Sequence, residues 1–180
     1  MRGFFLKTER LGFSIWSEQD ENDAVELWGN PAVTKFITAE GRMTREQACQ
    51  RLKAEIKNDE ESGIQYWPVY LLETGDNIGC CGLRPYDPAN NILELGVHIK
   101  EKYWKKGYAN EACSAVIDHA FNTLGVKALF AGHNPQNAAS AQMLTKLGFK
   151  YTHDEFYKPT GLYHPSYLLT KQAEQGRSRL

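Results

Sequence analysis

The sequence predicts a single α+β domain, with a mixed, mostly antiparallel central sheet of about seven strands and helices on both faces. Three observations support this fold class: short apolar runs bounded by turn residues, segments with helical periodicity, and one helix between two apolar strands. A length of 180 residues suits one compact domain. We expect that domain to span 1–180, with its core at 8–169 and a loose polar tail at 171–180.

Short apolar or alternating runs predict the strands. In the first run, Leu11, Phe13 and Ile15 alternate with small residues. Residues 74–77, TGDN, predict a hairpin turn, and 85–91, rich in Pro and Asn, predict a second turn. Residues 35–43 show little periodicity and predict a loop. The predicted strands are 8–16, 65–72, 78–83, 92–99, 127–132, 149–156 and 163–169.

Helical periodicity and terminal residues predict the helices. Thr44 and Gln47 form a capping box at the start of one helix, and Gly63 closes it. A central helix begins near Gly107 and ends at Gly125. Because it connects strands 92–99 and 127–132, we expect those strands to be parallel neighbours. The other predicted helices are 20–28, a short turn from Pro31, and 137–147, which Gly148 ends.

Composition excludes several classes of function. A net charge of −1 and a pI of about 6.5 argue against general nucleic-acid binding. No apolar run approaches the ~18 residues of a membrane helix, and the first residues lack a secretory core, so we expect a cytoplasmic protein. The four cysteines form no CxxC pair and lie near no histidine at zinc spacing, which predicts no metal site and small core residues. A monomer and a homodimer are equally compatible with the sequence.

The most informative stretch is the start of the central helix. Lys102, Lys105 and Lys106 precede Gly107 directly. A helix start exposes unpaired N–H groups and the positive end of the helix dipole, so this segment suits a phosphate or pyrophosphate. The alternative is a solvated turn. A P-loop or a GxGxxG motif is absent, which disfavours an unrelated nucleotide-phosphate binder.

Two segments carry a resemblance to a known family: ELGVHIKEKYWKKGYANEA and NPQNAASAQMLTKLGF. Together they resemble the GNAT superfamily of acetyl-CoA-dependent N-acetyltransferases. TERLGF and CGLRPYD are further similar to its Rim-type branch, which acetylates N-terminal amines of ribosomal proteins and other substrates. The resemblance covers Thr8 to Leu169 and implies a GNAT-like domain with a splayed pair of parallel strands.

The resemblance also implies how acetyl-CoA would be held. Backbone amides of the loop would face the pyrophosphate, and the preceding strand would pair with the pantetheine arm through its backbone. An amide near Val97 would face the thioester carbonyl, Gly96 would form a bulge that splays the strand, and Asn137 would meet the pantetheine arm or simply cap its helix. The residues implied are Val97, His98, Ile99, Trp104, Lys105, Lys106, Gly107, Tyr108, Ala109, Asn110, Asn137 and Ser140.

For the chemistry, the resemblance implies a base and an acid. Glu94 is the first base candidate, with a solvated or salt-bridged strand glutamate as the alternative. His98 is a second base candidate, with a structural hydrogen bond as the alternative. Leu144 occupies the position at which much of the superfamily has a tyrosine that acts as the general acid. The Rim-type branch offers a serine instead, which makes Ser140 the acid candidate; the alternative is that Ser140 only packs or caps its helix.

Two functions follow from these candidates. The first is transfer of an acetyl group from acetyl-CoA to a primary amine, on a protein N-terminus or on a small molecule. The second is a non-catalytic acyl-CoA-binding sensor or scaffold. We expect the acceptor to be selected by segments 35–43, 85–91 and 160–164.

Overall fold

The computed structural model describes residues 2–171 and confirms the α+β class. Within this range, eight strands form one sheet in the order β1-β2-β3-β4-β5-β6-β8-β7. All neighbours are antiparallel except β5 and β6, the pair joined by the central helix. The strands are β1 (Leu6–Lys7), β2 (Leu11–Phe13), β3 (Tyr66–Leu71), β4 (Asn77–Asp87), β5 (Ile92–Ile99), β6 (Ala128–Gly132), β7 (Lys150–Tyr157) and β8 (Leu162–Thr170). Apart from Lys171, the predicted loose tail lies outside the described residues.

Two strand predictions are corrected. The predicted strand 8–16 contains β2 alone, and β1 precedes it. The two strands form a short hairpin, because the Thr8 amide donates to the Leu11 carbonyl and the Leu11 amide donates to the Thr8 hydroxyl, which closes a tight turn. This hairpin accounts for the eighth strand. Residues 85–87 belong to β4 and not to the predicted turn, since Pro85 and Asp87 pair with β5. The chain reverses later, at a 3₁₀ turn over Pro88–Asn90.

The helices agree closely with the predicted positions. The capping box of α3 is confirmed: the Gln47 amide donates to the Thr44 hydroxyl at 3.2 Å, and the Thr44 amide donates to Gln47 Oε1 at 2.7 Å. The central helix, α4, ends at Asn122, so Gly125 (φ 68°) lies beyond it. The helices are α1 (Glu21–Trp28), α2 (Pro31–Thr34), α3 (Arg45–Ser62), α4 (Tyr108–Asn122) and α5 (Ala138–Lys146).

Helices cover both faces of the sheet. Successive strand residues point to opposite sides, and apolar residues on each side belong to a separate core. Cys81, Leu83 and Leu95 belong to a core that includes the apolar face of α4. Tyr66 and Cys80 point the other way, into a core shared with α1 and α3. All four cysteines are free; Cys49 is partly buried and the other three are buried, as small core residues would be.

The parallel pair separates part-way along its length. β5 and β6 pair only from Ile92 to Glu94 and from Ala128 to Phe130. The predicted bulge at Gly96 is wrong, since the pairing of β5 with β4 runs in regular register through Gly96. Gly96 is required for a different reason: a Cβ atom there would lie 2.1 Å from Cζ of Tyr66. The bare backbone at Gly96 therefore makes room for that ring.

The capping box of α3 gives a stability prediction. Thr44→Ala should lower the free energy of unfolding by about 1 kcal/mol, because the Gln47 amide loses its acceptor. Thr44→Ser keeps the hydroxyl and is the matched control, expected to lie near the wild type. Urea denaturation followed by circular dichroism measures both. Equal losses in the two variants would show that the hydroxyl is not responsible.

Candidate active site

A cleft of about 1160 Å³ opens where β5 and β6 separate. Its loop end is lined by the segment before α4 and by the start of α5. Its carboxylate end lies around Glu94, with walls from α2, α3, β4, β7 and β8. Of the twelve residues implied as cofactor contacts, all line this cleft except Lys106. The carbonyl of Lys106 instead accepts a hydrogen bond from Arg10 Nη1 at 3.1 Å.

The loop end offers unpaired backbone donors. Lys105 (φ 61°) and Gly107 (φ 81°) adopt left-handed conformations that turn the chain sharply into α4. The first amide to bond within the helix is that of Glu111, which donates to the Gly107 carbonyl. Within the described part of the chain, the amides of the three preceding residues, 108–110, have no partner. These amides, the helix dipole and the Lys105 side chain suit an anion.

Arg10 ties the β1–β2 hairpin to this loop. Besides its bond to the Lys106 carbonyl, Arg10 donates from Nε to Glu111 Oε2 at 2.7 Å. Its guanidinium carbon lies 4.5 Å from the centre of the Tyr108 ring. The Thr8 hydroxyl also donates to Glu111. The hairpin therefore fixes the loop and pairs Glu111, an acidic residue next to the unpaired amides at 108–110, with a cation.

Trp104 has a structural role at the end of β5. Its indole N–H donates to the Ile99 carbonyl at 2.6 Å, which joins the loop to the end of β5. Val97, His98 and Ile99 lie on the part of β5 that has no parallel partner. One edge of that strand is therefore open to the cleft, which is the requirement for a ligand that pairs with it like an added strand.

At the start of α5 the structure separates the roles of Asn137 and Ser140. Asn137 Oδ1 accepts from the Ser140 amide at 3.2 Å, so Asn137 is the cap of this helix. Ser140 is not the cap. Its hydroxyl has no hydrogen-bond partner among residues 2–171 and it lines the cleft. Both side chains thus reach the cleft, and the Ser140 hydroxyl remains available to a bound molecule.

Glu94 is half-buried and held by one phenol. Its Oε1 accepts a hydrogen bond from the Tyr66 hydroxyl at 3.0 Å, and no ion pair forms with it among the described residues. Burial raises the pKa of Glu94 above its ordinary value. The Tyr66 hydrogen bond and the charges of Arg84 and Arg51 oppose that increase. Glu94 therefore has a phenol donor and no ion pair among residues 2–171, and its role as the base stays a prediction.

His98 forms a structural hydrogen bond, which was the alternative to a role as a base. Its Nδ1 lies 3.1 Å from Nε1 of Trp28, an indole nitrogen that can only donate. Nδ1 is therefore an acceptor, and in the neutral ring Nε2 carries the proton. Burial lowers the pKa of His98 well below its ordinary value, as do the charges of Arg51 and Arg84. A neutral ring whose lone pair is already engaged is a poor base.

A buried ionic cluster lies behind Glu94. Glu55, on α3, is fully buried, and its Oε1 accepts from Arg51 Nε at 2.9 Å and from Arg84 Nη2. Its Oε2 accepts from the Tyr66 amide at 3.0 Å. One carboxylate thus holds two arginines and one strand residue next to the cleft. Removing it would leave two cations with little compensation.

The predicted acceptor segments reach the carboxylate end. Phe36 comes from the first segment, Tyr86 from the second and His164 from the third. Tyr86 stacks on Phe130 with centroids 3.8 Å apart and donates to Glu155 Oε2 at 3.0 Å. This end is therefore aromatic and carries both signs of charge. Within residues 2–171, no group of His, Cys, Asp or Glu is arranged to bind a metal, and no helix combines the length and hydropathy of a membrane span.

Comparison with known families decides what this cleft belongs to. The family described as acetyltransferase (GNAT) domain matches residues 10–150. The chain belongs to the GNAT family. It is an acetyl-transferring enzyme, and the family to which it belongs uses acetyl-CoA as co-substrate.

Relatives and solved structures agree with this GNAT assignment. The chain is 28% identical over 145 residues to the uncharacterized N-acetyltransferase p20 of Bacillus licheniformis, covering 81% of this chain and 82% of that protein. A GNAT acetyltransferase from Bacillus anthracis superposes with a TM-score of 0.79 at 22% identity, covering 93% and 98% of the two chains. RimL, a ribosomal L7/L12 alpha-N-protein acetyltransferase solved with coenzyme A, gives 0.79 at 12% identity, covering 95% and 99%. The two structures share the GNAT fold.

The sequence did not identify three residues that line or support this cleft: Tyr66 lines it, Arg10 holds the loop before α4, and Glu55 lies behind Glu94. Arg10 lies within the TERLGF segment, and Tyr66 lies in a predicted strand, but neither carries a predicted role. Glu55 carried a signal, because it continues the apolar stripe of Ala48 and Leu52 on α3, where a carboxylate must find buried partners.

Arg10 gives a prediction about the loop. Arg10→Ala should speed hydrogen exchange of the first hydrogen-bonded amides of α4, at 111–114, about tenfold, because the loop and Glu111 lose charged hydrogen bonds. The free energy of unfolding should change by about 1 kcal/mol or less, since the ion pair is partly exposed. Hydrogen exchange followed by mass spectrometry measures the first effect and urea denaturation the second.

The matched control is Arg45→Ala, which removes another surface ion pair, with Glu21, far along the chain from the loop. It should leave exchange at 111–114 unchanged. If Arg10→Ala behaved in the same way, the hairpin would not be what fixes the loop.

Proposed function

We propose that this protein transfers the acetyl group of acetyl-CoA to a primary amine, with Glu94 as the base. The observation that carries the proposal is that one cleft contains the unpaired amides of α4, the open edge of β5 and the half-buried carboxylate of Glu94. These are the three groups that the reaction needs, in order along the cleft: an anion site, a strand-like groove and a proton acceptor.

The loop end fits coenzyme A. The amides at 108–110 and the Lys105 side chain would hold its pyrophosphate, while Val97, His98 and Ile99 would hold the pantetheine arm through their backbone. Trp104, Gly107 and Asn137 would shape and close this grip. Lys106 would contribute charge at a distance, because its backbone is turned toward Arg10. The bound co-substrate supplies the activated acetyl group.

The carboxylate end fits proton transfer from an amine. A protonated amine has no lone pair, so a nearby base must take its proton before or during attack. Glu94 has a carboxylate oxygen beyond the one bonded to Tyr66, and burial makes that carboxylate a stronger base than an exposed glutamate. Ser140, whose hydroxyl is unpartnered, is the group we assign to protonate the departing thiolate.

For the acceptor, we propose a protein N-terminus or a small-molecule primary amine. The Rim-type segments of the sequence, and the acceptor that RimL is named for, support the first. The aromatic walls and mixed charges of the carboxylate end are compatible with a short peptide lying across β7 and α2.

The first test concerns acetyl-CoA itself. Acetyl-CoA at about 100 times its Kd should stabilise the fold by about 2.7 kcal/mol by mass action, whereas ATP and NAD should not. Thermal unfolding measures this. Thiol release in the presence of N-terminal peptides, polyamines and aminoglycosides then measures turnover. Stabilisation by acetyl-CoA with no turnover on any amine would favour the sensor or scaffold instead.

The second test concerns the base. Glu94→Gln should lower kcat/KM by about 10²- to 10⁴-fold near neutral pH and remove the acidic limb of the pH profile. Glu155→Gln, a carboxylate in the same cleft, is the contrast and should stay within a few-fold of the wild type. The reverse ranking of the two variants would move the base to Glu155.

Glu94→Gln should not cost stability at neutral pH. The folded protein raises the pKa of Glu94 above its unfolded value, so folding disfavours the charged form once the pH exceeds the unfolded pKa. Removing that charge should leave the melting temperature equal or higher at pH 7. A large drop in melting temperature would show that the loss of activity comes from unfolding.

A further inference from the structure

Tyr66 occupies the space that Gly96 leaves open. The side chain is 4% exposed, and its ring lies across the backbone of β5. A Cβ atom on Gly96 would lie 2.1 Å from the ring Cζ and 2.2 Å from the hydroxyl oxygen. That hydroxyl lies 3.0 Å from Glu94 Oε1. Glu94 precedes Gly96 by two residues, so the two residues are on the same face of β5. No larger residue than glycine at 96 permits this contact.

The ring is held from several sides, so the hydroxyl has a fixed direction. The backbone amide of Tyr66 donates to Glu55. The guanidinium of Arg84 lies 4.3 Å from the ring centre, and that of Arg51 lies 5.7 Å away. The His98 ring meets it edge-on at 5.8 Å. Within residues 2–171, the Tyr66 hydroxyl forms one hydrogen bond, which it donates to Glu94.

We propose that Tyr66 is a positioning residue that aims the Glu94 carboxylate into the cleft and favours its ionised form for proton abstraction. This inference rests on the proposed function, in which Glu94 is the base. The buried cluster around Glu55 serves the same end, because it fixes the strand and the ring from which the hydroxyl projects.

The charges around Glu94 make the hydroxyl matter. Burial raises the pKa of Glu94, and the Tyr66 hydrogen bond is the first effect that opposes it. The other groups that face Glu94 are Arg51 from α3, Arg84 and Tyr86 from β4, and Glu155 and Tyr157 from β7. The arginines lower the pKa of Glu94 and Glu155 raises it. Tyr66 itself stays protonated, since burial raises its pKa well above the ordinary value.

The variant that tests this is Tyr66→Phe, which keeps the ring and removes only the donor. The matched control is Tyr70→Phe on the same strand, because Tyr70 is equally buried, at 4% exposed, and its hydroxyl has no hydrogen-bond partner among the described residues. Side-chain carboxyl ¹³C NMR of glutamate-labelled protein, with the Glu94 signal assigned by its absence in Glu94→Gln, gives the titration midpoint directly.

In this titration, the Glu94 midpoint should move to higher pH in Tyr66→Phe and stay in place in Tyr70→Phe. This measurement requires no amine substrate. In turnover assays of Tyr66→Phe, the acidic limb of the pH profile should also move to higher pH. On that limb kcat/KM should be about tenfold lower than in the wild type, and on the plateau it should change much less. KM for acetyl-CoA should be unchanged.

The outcomes separate this inference from the proposed function. If Glu94→Gln slows turnover but Tyr66→Phe matches the wild type in midpoint and pH profile, the role of Tyr66 is overturned and the base assignment stands. If Glu94→Gln turns over like the wild type, the base assignment is overturned, and with it this role for Tyr66. If both tyrosine variants shift equally, the effect belongs to packing and the inference fails.

Discussion

The separation of β5 from β6 after Glu94 and Phe130 is the constraint on which the rest of the structure depends. A parallel pair satisfies the backbone groups of both strands, and its opening leaves one edge of β5 without a strand partner among residues 2–171. That edge is tolerable only where something else, solvent or a ligand, can pair with it. The cleft, the start of α4 and the start of α5 all lie around this open edge, so the break in the sheet creates the site.

The polar groups behind the cleft follow from the same opening. Tyr66 can cross β5 only because Gly96 has no side chain, and Arg84 can pack on Tyr66 only because Glu55 neutralises it inside the domain. A buried carboxylate with two guanidiniums is costly to desolvate and gains little net stability. The position of this cluster behind Tyr66 and Glu94 fits the positioning role that we propose for Tyr66.

Local signals predicted the elements well, and they predicted the loop end of the site. β5 has the predicted bounds, α3 has its capping box, and α4 begins directly after the predicted glycine. The failure at Pro85 has a local physical reason. Pro85 lies in β4 and pairs with Leu93 of β5, although the composition around it predicted a turn. A residue type does not report the neighbours that decide its environment.

Contacts between distant segments could not be predicted in the same way. Arg10 and Glu111 are separated by 101 residues, and Tyr66 and Glu94 by 28. A single sequence contains no record of which residues meet, so the strand glycine was explained by a bulge when the cause was a ring from another strand. The general consequence is that a glycine in a buried strand predicts a close approach by something, and only the fold identifies it. Here the approaching group is the phenol that holds the candidate base, which places the reason for Gly96 in the chemistry of the cleft and not in the shape of the strand.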